Sequence, residues 1–358
     1  MAGTWESQNK ELAGVYLNIH TNEPLSIAPG DRGTTAILQE LTVGEDGAVY
    51  TITATDAAYP ENATTADKRL ATEALKNAKT VLLYNLPEGH VSDDVQDALE
   101  VLETMDINTI AYPYDGANET EETNYEASKT VITNWVKAMY DDEGVPVQAV
   151  MANVDADSDR VINVVQGVIL SDGTELTAAQ VTAWVAGATA GASMTTSNTG
   201  KKYVGAIDVV PRMKRSKMET ASKAGKLLLK VDNAQNVTIA YDINSLVTYT
   251  VKKGKKFRKN RVIRTIDNIK KDLGLIYEGE YVGKYDVEPD GLSLLKGSYC
   301  AYFKELNRLK AIKNFDTADI TVTEGAESDS VYVELYAQPV DSGDKIYVDV
   351  NLSQPQSE

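Results

Sequence analysis

Residues 80–112 read TVLLYNLPEGHVSDDVQDALEVLETMDINTIAY: a short apolar run, a turn, an amphipathic stretch and a second apolar run. Thr80–Tyr84 and Ile107–Tyr112 have the length and composition of buried strands. Between them, Ser92–Met105 sets Val95, Leu99, Leu102 and Met105 on one face at the 3.6-residue period of a helix. The pattern repeats C-terminally. Tyr125–Tyr140 carries Val131, Trp135 and Met139 at helical spacing, and Val147–Met151 is a third apolar strand. Strand, helix, strand, helix, strand in this order predicts an α/β core on a parallel sheet.

Further along, Val164–Leu170 reads as a strand that stops at Ser171, Asp172 and Gly173, and Thr177–Ala190 as a small-residue helix around Trp184. From Lys201 the chain turns β-rich, with strands expected at Val204–Asp208, Val237–Tyr241 and Val247–Val251. Two amphipathic helices follow. One carries Val262, Ile266, Ile269, Leu273 and Ile276, and the other Leu292, Leu295, Tyr299, Tyr302, Leu306 and Leu309. Strands at Ile320–Thr323 and Val331–Ala337 complete a C-terminal α+β domain. At the two ends, Leu12–Thr21 and Lys345–Leu352 alternate apolar and polar residues, and each is set off by a Pro- or Gly-bearing turn. Strand N–H and C=O groups need partners, so these ends either close onto their own sheet or complete one in a neighbouring copy. The expected organisation is an N-terminal arm over 1–22, an α/β core over 23–215, an α+β domain over 216–340 and a C-terminal arm over 341–358.

Composition narrows the function. The 358 residues contain a single cysteine, Cys300, and two histidines, His20 and His90, leaving few side chains for neutral-pH proton transfer or soft-metal ligation. Met1–Lys10 lacks the basic and apolar regions of a signal peptide. A formal charge of −18 argues against general binding to nucleic acid or to an anionic membrane. That charge is unevenly spread: residues 1–200 carry 9 basic and 31 acidic side chains, 201–271 carry 19 and 5, and 272–358 carry 7 and 17. Lys252–Lys271 is the densest basic stretch, opposed by Asp267 alone, and reads as either a solvated hairpin and helix face or a protein-binding face.

No motif for chemistry is complete. Asp155, Asp157 and Asp159 match the first ligands of a calcium loop, but Arg160 and Gln166 occupy positions that need glycine and a bidentate carboxylate, so a solvated acidic turn is expected. Gly187, Gly191, Gly200 and Lys201 fit no phosphate-loop register. His90, at a strand-to-helix turn, has no nucleophile elbow or cysteine beside it and is expected on the surface. A pair of hydrolytic carboxylates on the βαβαβ core stays open as the alternative function.

Several segments, in order, resemble the sheath protein of contractile phage tails and of phage-tail-like bacteriocins. Ala13, Gly14, Val15 and Tyr16 are similar to that family's proline-glycine-valine-tyrosine opening, with alanine in the proline position. Trp184–Thr199 resembles its AG-x-x-AG segment leading into a serine-threonine turn. Asn244, Ser245 and Leu246 before the basic Lys259–Arg264, then Tyr281, Val282, Gly283 and Lys284, and finally Gln338–Asp341 leading into Lys345–Val348, follow in the family's order.

The resemblance implies a non-enzymatic helical homopolymer with no cofactor or metal, made in the bacterial cytoplasm and built into a phage tail or a released phage-tail-like particle. Its partners would be further copies of itself, an inner tail tube, and baseplate and tail terminator proteins, with no contact to nucleic acid or membrane. Strand exchange between copies is then expected at Val15, Tyr16, Leu17, Asn18 and Ile19 and at Lys345, Ile346, Tyr347, Val348, Asp349 and Val350. The tube-facing cations expected first are Lys296, Lys304, Arg308 and Lys310, and second Lys259, Arg261 and Arg264 in the Lys252–Arg264 stretch.

Overall fold

The computed structural model describes residues 32–55, 57–116, 119–284 and 286–349. Strand β1 (Thr34–Glu40) and strand β2 (Val49–Thr53) precede helix α1 (Thr65–Leu75). Then come β3 (Thr80–Leu86), α2 (Ser92–Glu103), β4 (Thr109–Tyr112), α3 (Glu119–Asp141), β5 (Gln148–Ala152) and β6 (Val161–Val164). A hairpin of β7 (Gly167–Leu170) and β8 (Glu175–Leu176) leads into α4 (Ala178–Ala190), β9 (Ala206–Val210), α5 (Arg215–Lys223) and β10 (Lys226–Leu227).

Seven of these strands form one sheet in the order β10-β6-β5-β4-β1-β3-β2, parallel except for β2 at one edge. The expected βαβαβ unit is its middle. Its centre is β1, where Ile37 lies opposite Leu83 on one side and Ala111 on the other. Both faces are covered, as parallel sheets require. Leu70, Ala71 and Ala74 of α1 and Val181 and Trp184 of α4 pack on one face. Val95, Leu99 and Leu102 of α2 and Ile132 and Val136 of α3 pack on the other. The inward stripe of α3 differs in part from the one expected: Met139 is buried, but Ile132 and Val136 take the core positions where Val131 and Trp135 are only partly buried.

Two motifs acquire structural reasons. A Cβ on Gly187 would stand 2.3 Å from the Ala74 carbonyl oxygen, and one on Gly191 1.9 Å from that of Asn77. The glycines let α4 lie directly on the end of α1, so they serve helix packing. His90 is buried, contrary to expectation. Its Nδ1 lies 2.6 Å from Glu40 Oε1 and its Nε2 2.7 Å from the Tyr112 hydroxyl, while its ring stacks on Tyr125 at 5.3 Å. The Gly89 and His90 backbone N–H groups also donate to Glu40. This cluster pins the turn before α2 to the carboxyl ends of β1 and β4.

The core continues beyond residue 215. β10 pairs with β6, and Leu229 of β11 (Leu229–Val231) with Val237 and Ile239 of β12 (Val237–Ile239) joins the same apolar cluster as Trp184. After an exposed basic loop come α6 (Asn260–Glu280), α7 (Pro289–Arg308), β13 (Ile312–Lys313), β14 (Ile320–Glu324), β15 (Val331–Leu335) and β16 (Gln338–Pro339). Their core gathers Ile269, Ile276, Leu295, Tyr299, Phe303, Leu306, Ile312 and Ile320. Here the sheets are only two strands wide, β14 with β15 and β13 with β16.

Helix α6 joins the two regions. Over its first three turns it buries polar residues as well as apolar ones, and the charged ones among them make ion pairs or hydrogen bonds. Arg264 Nη2 donates to Asp242 Oδ2 at 3.0 Å and to the Thr196 carbonyl at 2.7 Å, and Asp267 accepts from Arg160 Nη1 at 2.6 Å. Asp272 accepts from the Tyr302 hydroxyl at 2.6 Å. A buried charge is tolerable only in such company.

Candidate assembly interface

Residues Lys345–Asp349, the described part of the expected closing strand, lie in no strand within the single copy and are exposed throughout. Ile346, Tyr347 and Val348 are 84, 89 and 72% exposed, three consecutive apolar side chains without a cover. Just before them the chain is tightly held. β16 pairs with β13, Val340 N–H donates to the Ala311 carbonyl at 2.9 Å, and Asp344 is ion-paired with Lys259, which also lies 3.8 Å from Asp341. The other half of the expected exchange set, Val15, Tyr16, Leu17, Asn18 and Ile19, and also Val350, lies outside the described residues.

α7 starts with Pro289 and Asp290 in its first turn, which suit a helix N-terminus. Its buried stripe turns Ser293, Gly297, Ala301, Lys304 and Arg308 outward. Of the first cation set, Lys304 and Lys310 are exposed with no ion-pair partner among the described residues, and Lys296 is half-buried. Arg308 donates to Glu305 at 2.6 and 2.7 Å. Lys310 follows the helix in a left-handed turn with φ 60.

The second set is divided differently. Arg264 is buried against Asp242 and unavailable to a partner surface. Lys259 is spent on Asp344, while half-buried Arg261 has its pKa lowered by desolvation. The exposed cations nearby are Lys252, Lys255 and Lys256, on a loop where the expected strand Val247–Val251 is irregular and Val251 is fully exposed.

That loop is rooted in the acidic turn. Asp157 accepts from the Val247 and Thr248 N–H groups at 2.6 and 2.9 Å, and buried Asp159 accepts from Lys253 at 2.9 Å. Of the aspartates with calcium-like spacing, Asp157 and Asp159 thus anchor the basic loop, while Asp155 and Asp157 are exposed as a solvated turn would have them. Among the described residues no group of three or more His, Cys, Asp or Glu is placed to hold a metal ion, and no helix is long and apolar enough to cross a membrane.

Sequence reasoning missed the residues that anchor the interface: Asp344, Tyr241, Arg32 and Asn268. Arg32 Nη1 donates to Asn268 Oδ1 of α6 at 2.8 Å, and burial, with Arg264 and Arg160 nearby, lowers the Arg32 pKa to about 10 despite Asp267. Only the turn residues Asp341–Gly343 gave any signal, and they read as a breaker.

The fold recurs in known proteins. The phage tail sheath protein central domain matches residues 88–245, and the phage tail sheath C-terminal domain matches 252–353. The chain is similar to the phage-like element PBSX protein XkdK of Bacillus subtilis (strain 168), with 35% identity over 271 residues, 74% of this chain and 56% of that one. It therefore spans about half the length of that relative. The crystal structure of the sheath tail protein from Desulfitobacterium hafniense superposes with a TM-score of 0.79 at 32% identity, covering 94% of this chain and 99% of that one. The helical sheath of the anti-feeding prophage in its contracted state shares the fold at 13% identity, with a TM-score of 0.68 over 96% of this chain and 100% of that one. With both sheath domains matched in order and a solved sheath protein covered almost end to end, the chain belongs to the phage tail sheath family.

Proposed function

We propose that this chain is the structural subunit of a contractile tail sheath. Copies polymerise as stacked rings around an inner tube and shorten from a metastable extended state to drive the tube through a target envelope. The observation that carries the reading is the ordered match to both sheath domains. Contraction without a nucleotide needs stored free energy. The extended form is then a kinetic trap whose copies bury less mutual surface than in the short form.

Two features support the roles of particular residues. The uncovered Ile346, Tyr347 and Val348 suit a strand that completes a sheet in a neighbouring copy, and Val15–Ile19 would do the same at the other end. Main-chain links of this kind hold while the bodies rotate. The exposed Lys304, Arg308 and Lys310, with Lys296 beside them, suit a weak grip on an acidic tube. Lys252, Lys255 and Lys256 are the better second candidates, because Lys259 and Arg264 are engaged within the chain. Baseplate and terminator proteins would cap the polymer, in a phage tail or a released particle. Family membership favours a structural protein and lends no support to a carboxylate hydrolase.

Negative-stain microscopy of the concentrated chain tests the reading. Tubes or stacked rings are expected from the full chain and dispersed monomers after deletion of residues 345–358. Compact oligomers from the full chain would overturn the sheath reading, and normal tubes from the deletion would remove the linking role of the arm.

A further inference from the structure

Two segments far apart in the sequence are attached to one helix. Arg32, the first described residue, is hydrogen-bonded to Asn268 in the middle of α6. Lys259, at the N-cap position of α6, is ion-paired with Asp344, two residues before Ile346 of the exposed apolar trio. Nine residues of helix separate these attachment points, about 13 Å at 1.5 Å per residue. α6 is itself fixed to the α/β core through Arg160–Asp267 and Arg264–Asp242.

The C-terminal attachment has the character of a built clamp. The Lys259 and Asp344 side chains are only 12 and 7% exposed, so salt screens the pair poorly. Lys259 Nζ lies 4.2 Å from the Tyr241 ring centroid, and Lys345 Nζ lies 5.8 Å from the same ring. Burial alone would lower the Lys259 pKa, but Asp344, Tyr241 and Asp341 outweigh it and raise it. Immediately past this held point Lys345–Asp349 have no strand partner among the described residues. A buried ion pair whose segment contributes little else to the core is well placed to set a direction.

We propose that α6 carries the root of the C-terminal arm, and that Lys259 is a positioning residue that aims Ile346, Tyr347 and Val348 at a second copy of this chain. The proposal rests on the strand-exchange reading above. Holding the root limits the volume the arm explores and raises its effective concentration at the neighbour.

Polymerisation is followed by light scattering and microscopy for the full chain, Lys259→Met, Lys259→Arg, Asp344→Asn, the double variant Lys259→Met/Asp344→Asn, and the deletion of 345–358. The deletion should abolish assembly. Lys259→Met and Asp344→Asn should each raise the concentration needed for polymerisation roughly tenfold, the scale of one modest ion pair. The double variant should be no worse than either single one, and Lys259→Arg should stay close to wild type. Asp344→Asn lies outside the packed core and keeps the test sound if Lys259→Met unfolds. Wild-type assembly by both single variants, with the deletion inactive, would overturn the clamp and leave the arm standing. Normal assembly by the deletion would overturn both.

Discussion

The seven-stranded sheet and the C-terminal region solve the same problem with opposite results. In the first, β1 has hydrogen-bonded neighbours on both sides, helices cover both faces, and strands such as β4 and β5 are buried along their whole length. In the second, β14 and β15 pair only with each other among the described residues, β15 alternates half-buried and exposed residues, and Tyr332 and Tyr336 are 59 and 63% exposed. An isolated two-stranded ribbon is marginal in water. The core is thus a finished body. The C-terminal region keeps open edges and uncovered apolar side chains, which the proposed assembly would close.

The contrast predicts that substitutions in and around the core unfold the chain, whereas those at the open surfaces spare the fold. The largest effect is expected at the tie between the regions. Asp242 accepts from Arg264, from the Asn198 N–H and from Asn260 Nδ2, so Asp242→Asn leaves a buried guanidinium uncompensated. A loss of about 3–5 kcal/mol is expected in urea unfolding. A loss under 1 kcal/mol would mean that α6 is not needed to hold the regions together.

Next comes Gly191→Ala. The new methyl would meet the Asn77 backbone oxygen, which is part of the turn closing α1 and cannot swing aside as a side chain would. About 2–3 kcal/mol is expected for forcing the two helices apart. Wild-type thermal stability would show that the small-residue face of α4 is not what seats it.

Asp67 gives a smaller, pH-dependent effect. Burial raises its pKa, but hydrogen bonds from Thr64, which it caps at the start of α1, and from Thr42 outweigh burial and hold it at about 2. Because the folded pKa lies below the ordinary value, the stabilisation is complete above about pH 5 and fades as pH falls toward 2. Asp67→Asn should lose about 1–2 kcal/mol at pH 7. The gap to wild type should narrow in unfolding curves taken between pH 5 and 2.

What was readable in the sequence follows the same division. β3, α2, β4, α3 and β5 were legible because each has a period or a bounded apolar run. The central strand β1 was missed: TTAILQE holds only three consecutive apolar residues, and a strand buried on both faces has no alternation to notice. α1 was missed although Thr64 and Asp67 spell a capping box. At the ends, the alternation of Lys345–Leu352 was legible as a strand in want of a partner. Within one copy the described part has none, since pattern reports what a segment can pair with and says nothing of where the partner is. The anchors were illegible for another reason. Lys259 and Asp344 are 85 positions apart, and Arg32 and Asn268 are 236 apart. The same lysine in a basic run reads as surface charge until its distant partner is located.

The smallest effect on the fold, and the sharpest test of the contrast, is expected on α7. Lys304 is exposed without an acid partner among the described residues, and Arg308 holds only Glu305 one turn away, in full contact with solvent. Water and salt already satisfy such groups, so Lys304→Glu/Arg308→Glu should leave the melting temperature of the isolated chain unchanged within error. If these cations grip an acidic tube, the same variant should fail to stay in the long form on its tube at low salt. The wild type should lose that grip only as ionic strength rises and the Debye length shrinks. A variant that remains assembled on the tube at low salt would remove α7 as the gripping surface. A variant that melts early would show that this face contributes to the body, and the contrast between a finished core and an open C-terminal region would have to be redrawn at α7.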